Sequence, residues 1–464
     1  MTDSSGLDGV RLGTATGRAV VAAAALGSGM TMLDGTVVNV ALKTIGEDLD
    51  ASLAQLQWIS NGYLLSLASL ILIGGSLGDR YGRRRMFVVG TIWFAVASML
   101  CGLAPTAEIL IAARILQGAG AALLTPGSLA MIQGAFVRGD RARAIGSWSG
   151  LTGIAAAIGP LVGGLLVQYA SWRWIFLINL PVAALTVLIA QRTVPETRDP
   201  HAPRRFDVLG ALLAAVALGA LTYALTEWGG PLAPWAGVVA VVAAAAYVLD
   251  ERRSDHPMLP LGIFADRTFT AANAMTLVVY AALGAVLFFF VLQLQTVSGY
   301  GALRAGLATL PITVCMLLLA SRGGALATRI GPRLPMTLGP LVMAGGVLLL
   351  GRVGADLRYW TDALPALVVF GLGLALMVAP LTATVLAAAS DEHAGIASGV
   401  NNAVARAGAL LAVAALPVAV GLGGADYADP AVFDAAYGSA ILICAGLLAL
   451  GGLLSWVTIR NPGV

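Results

Sequence analysis

Asp34 and Arg114 are the side chains with most to explain, because each lies inside an apolar run long enough to cross a membrane. Asp34 sits in the stretch MTMLDGTVVNVALK, Met30 to Lys43, eight residues before the end of an apolar span at 20–42. That is about 12 Å of helix at ~1.5 Å per residue. Arg114 lies about seven residues into a span at 107–133, or ~10 Å of helix measured from the same side. The two opposite charges are therefore expected at matching depth. A charge at the centre of a spanning helix costs ~2.5–3.5 kcal/mol on insertion, so each must meet a partner or a water-filled path. A carboxyl group taken out of water is favoured in its neutral form, which lets a buried acid exchange a proton. Two readings fit: a structural hydrogen bond or ion pair between helices, or a pair with two states, in which protonating Asp34 releases Arg114.

No rival chemistry is spaced to compete. Cys101, Cys315 and Cys444 fall in separate apolar runs with no metal or disulfide spacing, and are read as packing or lipid-facing residues. His201, His256 and His393 all lie in loops, and no glycine-rich phosphate loop is present. The chain of 464 residues is 58% hydrophobic and 11% charged, with mean hydropathy +0.87, against about 25% charged residues in soluble domains. It is an integral membrane protein with no room for a soluble catalytic or nucleic-acid-binding domain. A membrane enzyme or sensor is thereby disfavoured. Residues 1–18 are polar and precede a run too long for a signal peptide, so they are read as a cytoplasmic tail. Arginine dominates the basic residues, Lys43 being the only lysine, which fits GC-rich bacterial coding.

The elements that must hold these residues are apolar spans near 20–42, 55–77, 86–104, 107–133, 144–168, 174–191, 208–228, 233–250, 269–296, 304–327, 334–351, 363–388, 394–420 and 437–459, fourteen in all. An even number puts both termini on one side. Of the 27 basic residues, 20 then fall on that side, including Arg204 and Arg205, and five on the other: Lys43, Arg173, Arg304, Arg352 and Arg358. Arg114 and Arg406 lie within spans. The excess makes the terminal side cytoplasmic.

One loop pattern occurs twice, as Gly75-x-Leu77-Gly78-Asp79-Arg80-x-Gly82-Arg83-Arg84 and as Gly324-x-Leu326-Ala327-Thr328-Arg329-x-Gly331-Pro332-Arg333. Self-similar halves mark transporters in which one bundle rocks against another. The expected fold is an all-α membrane protein of two six-helix bundles, 1–191 and 267–464, related by an internal repeat. The linker 192–266 adds two inserted, lipid-facing helices. Asp79, Arg80, Gly82, Arg83 and Arg84 form either a cytoplasmic latch or a topology anchor, and Thr328 in place of the acid makes any latch one-sided.

At these residues the sequence resembles the major facilitator superfamily, and within it the fourteen-helix drug:proton antiporter branch. Leu33-Asp34-x-Thr36-Val37-Val38-Asn39-Val40-Ala41-Leu42 resembles that branch's first-helix motif, with Lys43 where a proline is usual. Arg114-x-x-Gln117-Gly118-x-Gly120 resembles its fourth-helix motif, and Gly159-Pro160-x-x-Gly163-Gly164 its antiporter motif. Trp172-Arg173-Trp174-Ile175-Phe176-x-Ile178-Asn179-x-Pro181 and Gly395-x-Ala397-Ser398-Gly399-x-Asn401-Asn402 are similar to further motifs of the branch. The resemblance implies that the first and fourth helices are neighbours, so that Asp34 and Arg114 couple to protons. It implies also that the fifth helix seals an outward-facing cavity against proton leak. The four-residue recurrence of Ala155, Gly159 and Gly163 equally suits close helix packing alone.

Asn39, Trp58, Asn61, Tyr63, Gln117, Gln293, Asn401, Asn402 and Arg406 are candidates for a cavity with aromatic surface and sparse polar groups, which suits amphipathic ligands better than sugars. The expected function is a monomeric, multi-pass exporter of the bacterial inner membrane that exchanges drug-like or natural-product molecules for protons. The proton gradient is its energy source, with no cofactor; a proton-coupled nutrient importer is the alternative.

Overall fold

The computed structural model describes residues 9–198, 207–254, 257, 259–389, 394–424 and 426–461. Arg204, Arg205 and the three histidines lie outside these. Among the described residues the regular structure is helical apart from one isolated bridge, Val10 to Phe136. In a bilayer every backbone polar group must be satisfied inside the protein, and a helix does this within one segment. Among the described residues, fourteen helical segments are long and apolar enough to cross.

The first group comprises α1 (Ala15–Leu49), α2 (Leu53–Tyr81), α3 (Arg83–Gly102), α4 (Ala107–Ala135), α5 (Arg138–Tyr169), the short α6 (Trp174–Leu177) and α7 (Asn179–Thr193). Two helices, α8 (Val208–Thr226) and α9 (Ala233–Arg253), follow. The second group is α10 (Arg267–Thr296), α11 (Ala302–Ala308), α12 (Leu310–Ile330), α13 (Arg333–Leu350), α14 (Leu364–Ala387), α15 (Ala394–Ala419) and α16 (Pro430–Thr458). Local signals set the ends. Ser52 and Gln55 form a reciprocal capping box at the start of α2, and Asp50 ends α1 in the left-handed conformation, with φ 49°. Pro181 has no N–H to give the carbonyl four residues earlier, at Leu177, where α6 stops. The sixth span is thus broken, with Asn179 just past the break.

Packing repeats between the two groups. In the first, α2 and α3 pack on α4, α1 on α5 and α7, and α3 on α7. In the second, α12 and α13 pack on α14, α10 on α15 and α16, and α13 on α16. Between groups, α2 meets α15, and α5 meets α11 and α12. Of the two inserted helices, α8 packs against α2 and α15 as well as α9. It covers the seam between the groups, so it does more than face lipid.

The end away from the termini, here the distal end, is closed by hydrogen bonds from one group to the other. Lys43 Nζ donates to the Gln295 carbonyl (2.9 Å), and Gln295 Nε2 donates to the Val40 carbonyl (2.8 Å). Tyr427 Oη donates to the Ala51 carbonyl (2.8 Å), and the Leu53 N–H to Gly424 (3.0 Å). Gln57 Nε2 donates to the Val413 carbonyl at 2.6 Å. That carbonyl lacks its ordinary helical donor because Pro417 lies four residues on. Among pairs of described residues, all hydrogen bonds between the groups lie at this end; toward the terminal end contact is apolar, as at Leu72 against Gly399.

Candidate functional site

Asp34 is fully buried, with α1 carrying it into a polar cluster formed by the first group alone. Its Oδ2 accepts from Arg114 Nη1 at 2.5 Å, and its Oδ1 from Gln117 Nε2 at 2.8 Å and Asn179 Nδ2 at 3.5 Å. Arg114 Nη1 also donates to Gln117 Oε1 (2.6 Å), and its Nε to the Ile59 carbonyl (3.0 Å). The guanidinium lies over the Tyr63 ring, 4.4 Å from its centroid, and 5.7 Å from that of Phe176. Ser98 Oγ accepts from both Gln117 (2.7 Å) and Asn179 (3.2 Å), and Cys101 Sγ contacts Gln117 Oε1 at 3.6 Å. Six helices, α1 to α4, α6 and α7, thus converge on one ion pair.

The hydrogen-bond polarity matters. The partners placed on Asp34 oxygens are all donors, from Arg114, Gln117 and Asn179. Protonating Asp34 would remove the negative charge that faces these donors, weakening each bond and leaving the Arg114 charge uncompensated. Losing one partner of a buried, hydrogen-bonded ion pair costs ~3–5 kcal/mol because the other charge is left uncompensated. The Arg114 charge is therefore compensated by the Asp34 carboxylate and by no other acid in the cluster.

Close packing of α5 on α1 brackets Asp34. A Cβ added at Gly159 would collide with Thr36 Oγ1, and one at Gly163 with Val37. Gly164 and Pro160 approach α11 of the other group: a Cβ on Gly164 would lie 2.6 Å from Leu303 Cα, and one on Gly306 would strike the Pro160 carbonyl. The small residues of α5 thus bring α1 and the second group onto one helix.

At the terminal end Arg83 binds Asp79 through Nε (2.9 Å) and Nη2 (2.8 Å) across the turn at Gly82, whose φ is 114°. Glu196, absent from the sequence reading, accepts from the Arg84 and Arg85 N–H groups (3.0 and 3.1 Å) and caps α3. Arg84 Nη1 donates to the Val194 carbonyl (3.1 Å), and Arg80 lies 5.1 Å from the Tyr81 ring centroid. Among the described residues, the partners of Asp79, Arg83 and Arg84 lie in the first group or in the segment directly after α7, so these contacts brace one bundle and do not clasp two.

Several cavity candidates sit elsewhere than expected. Tyr63 and Gln117 are sealed in the charge cluster. Gln293 is fully buried at the distal end, donating to the Val353 carbonyl (2.9 Å) and Asp434 (2.5 Å), so it is a strut of the second group and not a cavity residue. Asn401 Nδ2 ties α15 to α10 at Asn273 (3.2 Å) and Thr276 (2.8 Å). Asn402 is exposed and bonds back to the Ser398 carbonyl (3.0 Å). Asn39, Trp58 and Arg406 are half-buried, while Asn61 is fully buried with neither amide atom partnered. Cys101, Cys315 and Cys444 are buried, not lipid-facing. Ser98 and Gln57 carried no signal in the sequence beyond being polar residues in apolar runs. Asn179 lay in a quoted motif without a role.

The sequence pattern of the Major Facilitator Superfamily matches residues 24–413. The puromycin resistance protein pur8 of Streptomyces alboniger is 37% identical over 465 residues, covering 96% of this chain and 91% of its own. The tetracenomycin C resistance and export protein of Streptomyces glaucescens is 36% identical over 402 residues, covering 85% and 74%. Among solved structures, a D-xylose-proton symporter superposes with a TM-score of 0.66 at 16% identity, over 96% of this chain and 98% of its own, a likeness of fold alone.

Proposed function

The chain belongs to the Major Facilitator Superfamily, and from that premise we propose that it exports amphipathic drug-like or natural-product molecules across the bacterial inner membrane in exchange for protons. The export reading is supported by relatives named for resistance to puromycin and for resistance to and export of tetracenomycin C. Both termini are cytoplasmic, by the arginine excess on their side, which makes the distal end extracellular. The working unit is one chain, with residues 1–191 and 267–464 as its two rocking bundles and 192–266 as the linker.

One observation carries the coupling: the partners placed on the buried Asp34 carboxylate are hydrogen-bond donors, one of them the buried Arg114, so a proton on Asp34 weakens the network by removing the charge those donors face. With the extracellular end open, a proton reaches Asp34 and loosens its hold on Arg114. The bundles then rock to the extracellularly closed state, where the proton is released inward and substrate binds from the cytoplasm. The small residues of α5 keep α1 and the second group in contact, which opposes proton leak. Each proton charge entering contributes ~2.3 kcal/mol per 100 mV of membrane potential.

Asp34→Asn keeps the size of the side chain and removes its charge. In a host lacking its own pumps, the variant should reach the membrane yet accumulate ethidium as fully as cells treated with an uncoupler. Gradient-driven ethidium efflux at the wild-type rate would refute the assignment.

A further inference from the structure

Arg406 is a second intramembrane arginine, and the ion pair above makes no use of it. It lies twelve residues into α15 from Ala394, about 18 Å of helix at ~1.5 Å per residue and hence near the middle of the bilayer. Among the described residues it has no hydrogen-bond or ion-pair partner. Of the carboxylates in spanning helices, Asp34 alone is far from a helix end, and Arg114 already holds it. An unpaired guanidinium at that depth is costly, and residues of this kind face a cavity and await a counter-charge.

Helical spacing fixes what Arg406 faces. Gly399, Arg406 and Val413 are seven residues apart, two turns each, and share one face of α15. Gly399 touches Leu72 and the Val413 carbonyl accepts from Gln57, both on α2, so Arg406 lies at the seam between the two groups. On α2, Asn61 and Ser69 fall between Gln57 and Leu72 at four- and three-residue spacing, along the same seam. Asn61 is fully buried with both amide atoms unpartnered, and Ser69 is 3% exposed with its hydroxyl unpartnered. Arg406 is also near enough to act electrostatically on Tyr63 of α2 and Tyr280 of α10. From the lipid side α8 covers the seam, with Gly219 against Leu65.

Taking the exporter reading as given for the direction of transport, we propose that Arg406, flanked by Asn61 and Ser69, anchors the substrate, and that the site takes amphipathic organic anions: a carboxylate or acidic phenol carried on an apolar ring system. A neutral molecule leaves this charge uncompensated, and a cation such as ethidium gains nothing from it and is held elsewhere in the cavity. An anion supplies the missing counter-charge and accepts from the guanidinium, while Asn61 and Ser69 regain the partners they lack.

Binding to the purified full-length protein tests this apart from transport. Thermal stabilisation is titrated with 2-naphthoate and nalidixate, each against its neutral carboxamide. Each acid should half-saturate at a concentration about tenfold below its amide, the scale of one charge-assisted hydrogen bond. R406Q should bring acid and amide within about twofold of each other, and R406K, which keeps the charge, should retain the preference. Equal stabilisation by acid and amide in the wild type, no stabilisation by either acid, or an acid preference that survives in R406Q would each overturn the proposal. The wild-type comparison needs no variant to fold. Failure here leaves ethidium efflux and its dependence on Asp34 untouched, so this inference and the exporter reading fail separately.

Discussion

Ser98 shows how much of the Asp34 cluster depends on neutral neighbours. Its hydroxyl accepts from both Gln117 and Asn179, the two amides that also donate to Asp34. Ser98→Ala leaves two buried donors short of an acceptor, and should destabilise the protein by ~1–3 kcal/mol. The check is a lowered melting temperature of the purified protein, with Ser98→Thr closer to wild type. Arg114→Ala should cost more, ~3–5 kcal/mol, since it strands a buried carboxylate; the double variant Asp34→Asn/Arg114→Gln should recover most of that loss. Asp34 and Arg114 were legible in the sequence because a charge in an apolar run stands out and helix length gives its depth. Ser98 and Asn179 were not, since a neutral polar residue in a membrane helix is common and its partners depend on how helices are rotated. The same ambiguity misplaced Tyr63, Gln117 and Gln293, which have cavity-like chemistry but face helix neighbours.

At the scale of elements, α5 and the distal hydrogen bonds do different work. Gly163 rests against Val37, three residues from Asp34, so Gly163→Leu must force α5 off α1. Overpacking of this kind costs ~1–3 kcal/mol; it should also raise passive proton leak, read as faster collapse of an imposed pH gradient in proteoliposomes. Gln57 and Gln295 hold the two groups together at main-chain carbonyls. Gln57→Ala and Gln295→Ala together should favour the distally open state and raise the labelling rate of a cysteine placed at Asn39 several-fold, at about 1 kcal/mol per lost bond. Unchanged labelling would remove these residues from the gate. Helix number was legible because about 20 apolar residues are needed per crossing, and the repeated loop pattern fixed which helices correspond. The break at Leu177 and the covering role of α8 were not: the first needs Pro181 read against a carbonyl four residues back, the second is a tertiary contact between helices that carry no distinguishing residues.

For the whole molecule, two bundles with matching internal packing meet along α2 with α15 and α5 with α11 and α12, hydrogen-bonded at one end. Such a body can exchange which end is closed while each bundle keeps its own core. The Asp34 cluster lies wholly within the first bundle, and two of its helices reach the gate: α1, which carries Asp34 and, one to three turns on, the Val40 and Lys43 contacts to Gln295, and α2, whose Ile59 carbonyl accepts from Arg114 two residues from Gln57. The most direct test reconstitutes wild-type protein and Asp34→Asn in liposomes with a pH dye inside and follows proton movement as an outward ethidium gradient is applied. Proton exchange at Asp34 predicts that wild type moves protons against the ethidium flow, and that Asp34→Asn moves none while still exchanging ethidium for ethidium. Equal proton movement in the variant would contradict it.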